Sequence, residues 1–334
     1  MTPPRVLFLP DFGTEIGGGH VMRCLTLAAE LVARGAECGF CVLPEAEAVI
    51  RAFAGDTVQI VSRDWPAPIA VVDGYDYTAD DERALAAEGR KVVAIDDLQR
   101  VHDCDLVTDS KLDSTASDYP GRAQVLAGAA FALIRPEFLA VRAEVLRRRA
   151  GGSAKRILIS LGLTDVGRVT ERVLRLISPI GGWDAADVVL GSGAASLRYA
   201  KDLAAHDGRF TIHVNTLAMA ALTGAADIAI GAGGGSLWER AVLGLPTLTL
   251  VLAANQRETP ERMEALGATL LLDVATPTFD QDLADAFGRL VADRALRQRL
   301  SERSASLCDG EGAARVATAI LALAASDESV RLAP

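Results

Sequence analysis

The sequence lacks several features that would assign it to a common class. No apolar run reaches the roughly 18 residues of a membrane-spanning helix, and the opening MTPPRVLFLP lacks the apolar segment and cleavage site of a signal peptide. The five cysteines are scattered, and Cys38 and Cys41 lie three apart in a predicted strand, on opposite faces. We therefore expect neither a disulfide nor a shared metal there, and a reducing, cytoplasmic location.

The chain is also poor in positive charge and in histidine. Its net charge is −10, and the basic residues cluster only in the RRR at 147–149, which disfavours a nucleic-acid partner. No two of the four histidines have metal-ligand spacing and no H-E-x-x-H is present, so no metal is predicted. The G-x-S-x-G of serine hydrolases and the dinucleotide fingerprint of NAD enzymes are absent as well. No cofactor and no membrane insertion are predicted.

What the sequence does contain is an alternation of short apolar strands and helices. Its 334 residues suit two domains of about 150 residues. Strands are predicted at VLFLP, ECGFCVL, VQIVS, IAVVD and KVVAID in the first half, and at RILISLG, DVVLGSG, FTIHVN, DIAIGAGGG and TLTLVLA in the second. This pattern predicts an α/β protein of two Rossmann-like domains, residues 1–150 and 151–334, joined by the linker AGGSAK. We expect the last helix to pack back on the first domain, and a ligand cleft at the carboxyl ends of both sheets.

Three predicted strand-to-helix turns are rich in small residues. They are PDFGTEIGGGH at 10–20, SLGLTD at 160–165 and IGAGGGSLWER at 230–240. Glycine lets the backbone approach a ligand, and the following helix offers free N–H groups to an anion. Each turn alone is equally compatible with a tight turn and no ligand, but three together favour a bound phosphoanhydride. Glu239 stands three residues after Ser236, where it is either a capping-box acid or an acceptor for ribose hydroxyls.

His20 follows three glycines at the predicted start of the first helix. A histidine near the positive end of a helix is expected to stay neutral, and a neutral imidazole can take a proton from water. The alternative is that His20 only caps the helix. Further polar residues follow predicted strands: Asp73 and Tyr75 in VVDGYDY, and Asp96 and Asp97 in AIDDL. In the second half, Asn255 and Gln256 follow a strand in the same way. Solvated turn residues are the alternative for these acids.

The ordered set of motifs resembles one known family. IGGGHVMRCLTLA, DD after a strand, GAAFALIRPEF, SLGLTD, GAGGGSLWERAVLGLP and LAANQ occur in this order across residues 16 to 256. They resemble the UDP-2,4-diacetamido-2,4,6-trideoxy-β-L-altropyranose hydrolases of pseudaminic acid biosynthesis, which are relatives of the GT-B glycosyltransferases. The resemblance implies a GT-B-like fold and hydrolysis of a UDP-sugar at its anomeric carbon, with inversion, giving the free sugar and UDP. The resemblance depends on the whole ordered set of motifs and not on any single one of them.

The resemblance also implies roles for individual residues. His20 matches the catalytic histidine, Tyr75 a site tyrosine, Asn255 the asparagine of an N-Q pair, and Glu239 the ribose-binding glutamate. The predicted catalytic residues are therefore His20, Tyr75 and Asn255. The predicted substrate-binding residues are Gly17, Gly18, Gly19, Arg23, Asp73, Asp97, Gly162, Thr164, Gly234, Gly235, Ser236, Glu239 and Gln256.

Two positions depart from the family pattern, and several alternative functions stay open. Leu163 stands where members have a glycine, which puts the phosphate role of that loop in doubt. Gly74 replaces a bulkier residue, which puts the sugar contacts in doubt. The rivals are a glycosyltransferase, a UDP-sugar 2-epimerase and a sugar-nucleotide-binding protein without turnover. The sequence does not fix the exact sugar, the final glycan or the oligomeric state, for which a monomer is one option.

Overall fold

The chain divides into two compact units in a computed structural model, which describes residues 3–13, 18–150, 152 and 154–331, with side chains up to residue 325. The first unit comprises residues 1–134 and 310–334, and the second comprises residues 135–309. Each unit contains one parallel sheet with helices packed on it, as the alternating pattern predicts. In the part of the chain so described, no helix is both long enough and apolar enough to span a membrane.

The first unit is built on a seven-stranded sheet of order β3-β2-β1-β4-β5-β6-β7. Every neighbouring pair is parallel. Buried parallel strands need apolar residues on both faces, which explains runs such as VLFL and IAVV. The elements are β1 (Arg5–Pro10), α1 (Gly19–Ala33), β2 (Glu37–Phe40), α2 (Pro44–Ala54), β3 (Gln59–Ile60), β4 (Ile69–Asp73), α3 (Ala79–Ala87), β5 (Lys91–Ile95), β6 (Leu106–Asp109) and β7 (Gln124–Ala127).

Strand β1 shows how the sheet separates two apolar layers. Val6 and Phe8 point into a core formed with helix α1, whereas Leu7 and Leu9 point into a core on the opposite face. Residues on alternate sides of a strand line opposite faces, so one apolar run can supply both layers. The strand is thereby fixed in the middle of the sheet, and its carboxyl end lies beside that of β4, where Pro10 is paired with Asp73.

The second unit has a six-stranded parallel sheet of order β10-β9-β8-β11-β12-β13. Its main core gathers apolar side chains from strands and helices, with Ile159, Ile230 and Leu250 from three neighbouring strands. The elements are α4 (Pro136–Arg149), β8 (Arg156–Ser160), α5 (Val169–Ile177), β9 (Ala185–Leu190), α6 (Leu197–His206), β10 (Phe210–Val214), α7 (Met219–Ala225), β11 (Ile228–Ala232), α8 (Ser236–Val242), β12 (Thr247–Val251), α9 (Glu258–Ala265), β13 (Leu270–Asp273), α10 (Phe279–Ala292) and α11 (Arg294–Leu307).

The division between the units falls before α4, whereas the sequence places a boundary after it, at residues 150 and 151. Arginines hold α4 in the second unit: Arg142 donates to the carbonyl of Val242 at 3.0 Å, and Arg149 donates to the carbonyls of Thr223, Ala226 and Leu243 at 2.6–2.7 Å. The RRR run at 147–149 forms the last turn of α4, and its final residue, Arg149, anchors that helix end in the second unit. Residue 152, inside the expected linker, lies in the second unit.

The last helix, α12 (Gly312–Arg331), belongs to the first unit. Its Val316, Ala317 and Ile320 are fully buried in the same core as helix α1. Gly312 packs against the backbone of the first unit so closely that a Cβ would lie 2.3 Å from the carbonyl oxygen of Ala132. Strands β6, β7 and β13 have no counterpart among the sequence predictions.

Candidate active site

In the first unit, carboxylates collect where the parallel strands end. Asp11 follows β1, Asp73 ends β4, and Asp96 and Asp97 follow β5. Because parallel strands end at the same edge of a sheet, side chains that are far apart in sequence meet there. Asp73 is fully buried and Asp96 is 1% exposed, so both need partners to remain charged.

His20 is the first partner of Asp73. It stands second in helix α1, is 4% exposed, and places its Nδ1 2.6 Å from Asp73 Oδ1. Gly18 is the N-cap of this helix and no side chain caps it, so the capping alternative for His20 does not hold. The histidine that follows the glycines is therefore directed to a buried carboxylate.

Arg23, one turn further along α1, is the second partner. Its Nε and Nη2 donate to the two oxygens of Asp73 at 2.6 and 2.5 Å, and its Nη1 donates to Asp97 Oδ2 at 2.8 Å. Burial acts to raise the pKa of Asp73, but Arg23 and His20 lower it to about 2. Asp73 is therefore an anion throughout the neutral pH range.

An anionic Asp73 decides which nitrogen of His20 carries the proton. A 2.6 Å contact between Nδ1 and a carboxylate oxygen requires a proton on Nδ1. Arg23 Nη2 also lies 3.1 Å from Nδ1, but a protonated Nδ1 cannot accept, so that N–H is directed to Asp73. In the neutral imidazole Nε2 is then the basic atom, the arrangement of an aspartate-oriented histidine base.

Tyr75 lies directly beside this pair. Its ring meets that of His20 edge to face, with 4.7 Å between centroids and an angle of 84°. The backbone N–H of Tyr75 donates to Asp11 Oδ2 at 2.9 Å. A Cβ on Gly74 would lie 2.1 Å from the same oxygen, so the glycine at this position makes room for the carboxylate of Asp11. Asp11 is a site residue that the sequence did not single out.

A second layer of ion pairs fixes the loop that carries Tyr75. Arg100 donates to the carbonyls of Gly74, Tyr75 and Tyr77 at 2.8–3.2 Å, and its Nε donates to Asp96 Oδ1 at 2.8 Å. Asp96 in turn accepts from the hydroxyl of Tyr119 at 3.0 Å. Asp96, which the sequence marks as a strand-end acid, thus supports the loop and does not face His20. No local pattern announces Arg100, because its partners lie more than 20 residues earlier in three cases.

One group of potential metal ligands is found in the described residues, and its geometry favours an ion pair. Glu82, His102 and Cys104 place ligand atoms within 4.8 Å of one another. However, Glu82 Oε1 and His102 Nδ1 are already in contact at 2.6 Å, which leaves no space for a cation between them. Burial also raises the pKa of the Cys104 thiol to about 12, and a protonated thiol is a poor metal ligand.

In the second unit, the glycine turn after β11 lies against the segment after β12. A Cβ on Gly233 would lie 2.7 Å from the carbonyl oxygen of Gln256, and one on Gly234 would lie 3.5 Å from Gln256 Nε2. The structure thus brings together two of the predicted motifs, GAGGGS and NQ. Asn255 stands in the short 3₁₀ turn that precedes α9. In the described part of the chain, Gln256 Oε1 is buried and has no hydrogen-bond partner.

Glu239 is held by an arginine and does not cap its helix. Arg135 Nε and Nη2 donate to its two oxygens at 2.7 and 3.1 Å. The N-cap residue of α8 is Gly235, and no side chain forms a cap hydrogen bond there. The capping-box alternative for Glu239 therefore does not apply. Arg135, which lies in the GAAFALIRPEF motif but received no role from the sequence, is a further site residue.

Arg240 adds a buried positive charge next to Glu239. It is 3% exposed and donates to Ser236 Oγ at 2.9 Å and to the carbonyl of Ala232 at 2.5 Å. Its guanidinium fills the space over Gly231, where a Cβ would meet it at 2.4 Å. Burial lowers the pKa of Arg240 to about 10, against the opposing effect of Glu239. The guanidinium remains charged at neutral pH without a carboxylate hydrogen-bonded to it among the described residues.

The turn after β8 is organised by Asp165. This residue accepts from the N–H and hydroxyl of Thr170 at 2.9 and 2.7 Å, and from the N–H of Ser196 at 3.0 Å. The carbonyl of Leu163 accepts from the N–H of Gly191 at 3.0 Å. Gly162 is exposed with φ of 107°, and Thr164 is half-buried. The turn is an ordered loop at the carboxyl end of β8, and hydrogen bonds to other residues of the same unit hold its backbone in place.

The predicted site residues therefore form two groups. His20, Arg23, Asp73, Tyr75 and Asp97 meet in the first unit. In the second unit, a second group comprises the turn after β11 with the start of α8, and the adjacent segment after β12: Gly234, Gly235, Ser236, Glu239, Asn255 and Gln256. Gly162 and Thr164 lie apart from both groups in sequence, on the turn after β8. Gly18 and Gly19 begin helix α1, and a Cβ on Gly19 would meet nothing within 4 Å. Gly17 lies outside the described residues.

Comparison with known proteins agrees with this organisation. No protein-family model matches the chain. A UDP-2,4-diacetamido-2,4,6-trideoxy-β-L-altropyranose hydrolase of Campylobacter jejuni is 26% identical over 184 residues, 51% of this chain and 64% of that protein. The spore coat polysaccharide biosynthesis protein SpsG of Bacillus subtilis is 28% identical over 205 residues, 60% of this chain and 59% of that protein. The chain thus spans about three fifths of the length of these relatives.

The structural comparison covers nearly all of the chain. The crystal structure of MurG from Acinetobacter baumannii matches with a TM-score of 0.67 and 15% identity, over 96% of this chain and 99% of that one. The fold is GT-B-like. At this identity the likeness speaks for the fold alone, while the two sequence relatives support the family resemblance carried by the motifs.

Proposed function

We propose that this protein hydrolyses a UDP-linked 2,4-diacetamido-2,4,6-trideoxyhexose at its anomeric carbon, with inversion, releasing the free sugar and UDP. The observation that carries the proposal is the buried contact between His20 Nδ1 and the ionised Asp73, which leaves Nε2 as a base. The family resemblance and the hydrolase among the sequence relatives support the choice of substrate. The first unit supplies the base and the second binds the nucleotide.

In the proposed reaction, a water oxygen forms a bond to C1 of the sugar while the bond from C1 to the phosphate oxygen breaks. The electron pair of that bond leaves with UDP, and the proton of the water moves to His20 Nε2. Asp73 stabilises the imidazolium that forms, because its oxygen already accepts from Nδ1. Diphosphate is a good leaving group, so the reaction requires no strong general acid.

Tyr75 and Asp97 are the proposed sugar contacts. The ring of Tyr75 flanks His20. Asp97 gives one oxygen to Arg23, while its Oδ1 is buried and has no hydrogen-bond partner in the parts of the chain described. A buried carboxylate oxygen of this kind is suited to accept a hydrogen bond from an N–H or O–H group of the substrate. At Gly19, an added Cβ would meet open space, so the missing side chain leaves room beside His20.

The second unit is the proposed nucleotide site. Glu239 would accept hydrogen bonds from the ribose hydroxyls, and the buried Oε1 of Gln256, which has no partner among the described residues, would accept from the nucleotide. The buried charge of Arg240 supplies positive potential for the diphosphate near Gly235 and Ser236. Asn255 is assigned to the site through the family resemblance. This arrangement predicts that UDP binds and substrate turns over in EDTA, and a loss of activity that Mg²⁺ restores would contradict it.

The products of the reaction decide between the proposal and its rivals. The purified protein is incubated with a panel of UDP-linked diacetamido-trideoxyhexoses in ¹⁸O-labelled water, and products are followed by mass spectrometry and NMR. Label in the sugar and none in UDP, with the opposite anomer formed first, is the expected result. Sugar transferred to an added acceptor, an isomeric UDP-sugar, or UDP-sugar binding without turnover would identify a transferase, an epimerase or a binding protein.

On this proposal the protein acts on a cytoplasmic sugar nucleotide. The released hexose would be the substrate of a synthase that makes a nine-carbon acid, pseudaminic acid, for flagellin or cell-surface glycans. Adding such a synthase to the reaction tests the sugar's identity, because only the correct stereoisomer is converted. Absence of the nine-carbon product from a correctly hydrolysed sugar would place the protein in another pathway.

A further inference from the structure

Arg135 and Glu239 form a two-point ion pair inside the second unit, although 104 residues separate them in sequence. Arg135 Nε donates to Glu239 Oε1 at 2.7 Å, and Arg135 Nη2 donates to Glu239 Oε2 at 3.1 Å. Both side chains are 14% exposed. Such parallel contacts fix the plane of a carboxylate as well as its position, which a single contact does not.

The arginine is itself held in place by its neighbours in the chain. Arg135 precedes Pro136 and has an extended backbone, with φ of −62° and ψ of 137°, the conformation favoured before a proline. Its guanidinium lies 5.1 Å from the centre of the ring of Phe138, which is fully buried. Arg135 therefore holds the carboxylate of Glu239 from a rigid position at the start of helix α4.

The ion pair leaves acceptor capacity on both carboxylate oxygens. Each oxygen of a carboxylate can accept about two hydrogen bonds, and Arg135 uses one on each. The remaining positions suit two neighbouring hydroxyls. Arg135 also cancels the negative charge of Glu239, which would otherwise repel a diphosphate bound near Arg240.

We infer that Arg135 is a positioning residue that orients Glu239 toward the 2′- and 3′-hydroxyls of the ribose, so that the pair makes the site select ribonucleotides over deoxyribonucleotides. This inference rests on the proposed nucleotide site in the second unit. Arg135 acts through Glu239 and does not need to touch the ligand. Lysine at this position keeps the charge but loses the planar, two-point contact.

The test compares binding of UDP with binding of 2′,3′-dideoxy-UDP by calorimetry. Wild type should prefer UDP by on the order of tenfold or more, the value expected for hydrogen bonds to a charged group. Arg135→Lys should reduce that preference to less than about threefold, mainly by weakening UDP. Arg135→Met should do the same. Thermal unfolding of each variant establishes that it is folded, and Arg135→Lys provides the readout if Arg135→Met does not fold.

Arg156→Lys is the matched control. Arg156 makes the same two-point contact with Asp187, at 2.6 and 2.9 Å, elsewhere in the second unit, so this variant should keep the wild-type preference. A folded Arg135→Lys protein that retains the full preference for UDP would overturn the inference while leaving the nucleotide site intact. Wild type that binds no UDP would overturn the proposed function, and the inference with it.

Discussion

The two candidate regions of the molecule differ in the sign of their charge. In the first unit, the carboxylates of Asp73 and Asp97 share the guanidinium of Arg23, while Asp11 accepts only a backbone N–H, so the group around His20 is negative on balance. In the second unit, Arg135 neutralises Glu239, and the charge of Arg240 is left over. A negative region favours positive charge that develops on a sugar, and a positive region favours a departing diphosphate.

The regions also differ in how they are built. The first depends on hydrogen bonds between side chains that arise from three separate strands and a helix, and each charged atom of Asp73 has at least one partner. The second depends on backbone turns whose glycines allow close approach, as at Gly233, and on the largely buried side chains of Arg135, Glu239 and Arg240 beside them. Substitution should therefore affect chemistry in the first region and affinity in the second. The predictions that follow test whether substitutions in the two regions have these different effects.

The largest effect is expected for His20→Asn. Loss of a positioned base should lower kcat by on the order of 10²–10⁴, with little change in KM, because the histidine acts on water and not on the nucleotide. Steady-state kinetics on the UDP-sugar measures kcat and KM.

The control for His20→Asn is UDP affinity, which should equal that of wild type by calorimetry. Near-normal turnover by a folded, UDP-binding variant would show that His20 is structural. The base would then have to be sought among Asp73, Tyr75 and Asp97.

Glu239→Ala should have the next largest effect, and in the other region. Loss of the charge-assisted bonds to ribose should weaken UDP binding by about 1–3 kcal/mol, and kcat at saturation should change less than in His20→Asn. Calorimetry and kinetics on the same preparation separate the two. An unchanged affinity for UDP would mean that Glu239 serves only as the partner of Arg135.

The two regions were not equally visible in the sequence. Their glycines and acids stand at the ends of strands, and strand and helix periods are local, so β1, β4 and α4 could be placed from pattern alone. The same local signal marked His20, Asp73 and Glu239 as candidates. Strands β6 and β13 were missed because LVTD and LLLD are only four residues long, too short for a clear period.

The partners of the candidate residues could not be predicted in the same way. Arg135 and Asp11 lie inside the motifs GAAFALIRPEF and PDFGTEIGGGH but have no recognisable role there, and Arg100 lies outside every motif. Each becomes significant only because the fold brings a distant partner within hydrogen-bond reach. The boundary between the units was misplaced for a similar reason, since the contacts of Arg149 with three carbonyls are made more than 70 residues away. Pairing over such distances is decided by tertiary packing, which sequence periodicity does not encode.

Gly74→Ala is expected to produce a moderate loss of stability in the first region. Its Cβ would lie 2.1 Å from Asp11 Oδ2, so the carboxylate must move and its bond with the N–H of Tyr75 weakens. Overpacking of this kind costs about 1–3 kcal/mol. Gly19→Ala is the matched control: its Cβ meets nothing within 4 Å, so the free energy of unfolding should not fall. Equal stability of Gly74→Ala and wild type in urea unfolding would contradict the packing argument.

The last prediction concerns His102, another histidine of the first unit that contacts a carboxylate. Burial acts to lower its pKa, but contacts with Asp96 and Glu82 raise the pKa to about 9. A pKa raised above the unfolded value of about 6.5 stabilises the fold fully below pH 6.5, and this contribution is lost as the pH rises through 9. Thermal unfolding should therefore show that the free energy of unfolding falls by on the order of 1–3 kcal/mol between pH 6.5 and pH 9.

The variant His102→Gln should be less stable than wild type at pH 6, and its free energy of unfolding should be nearly independent of pH across that window. His213→Gln removes a contact with Asp187 in the second unit and should leave the pH dependence of the first unit in place. A wild-type stability that stays constant or increases from pH 6.5 to 9 would show that His102 is not the titrating group.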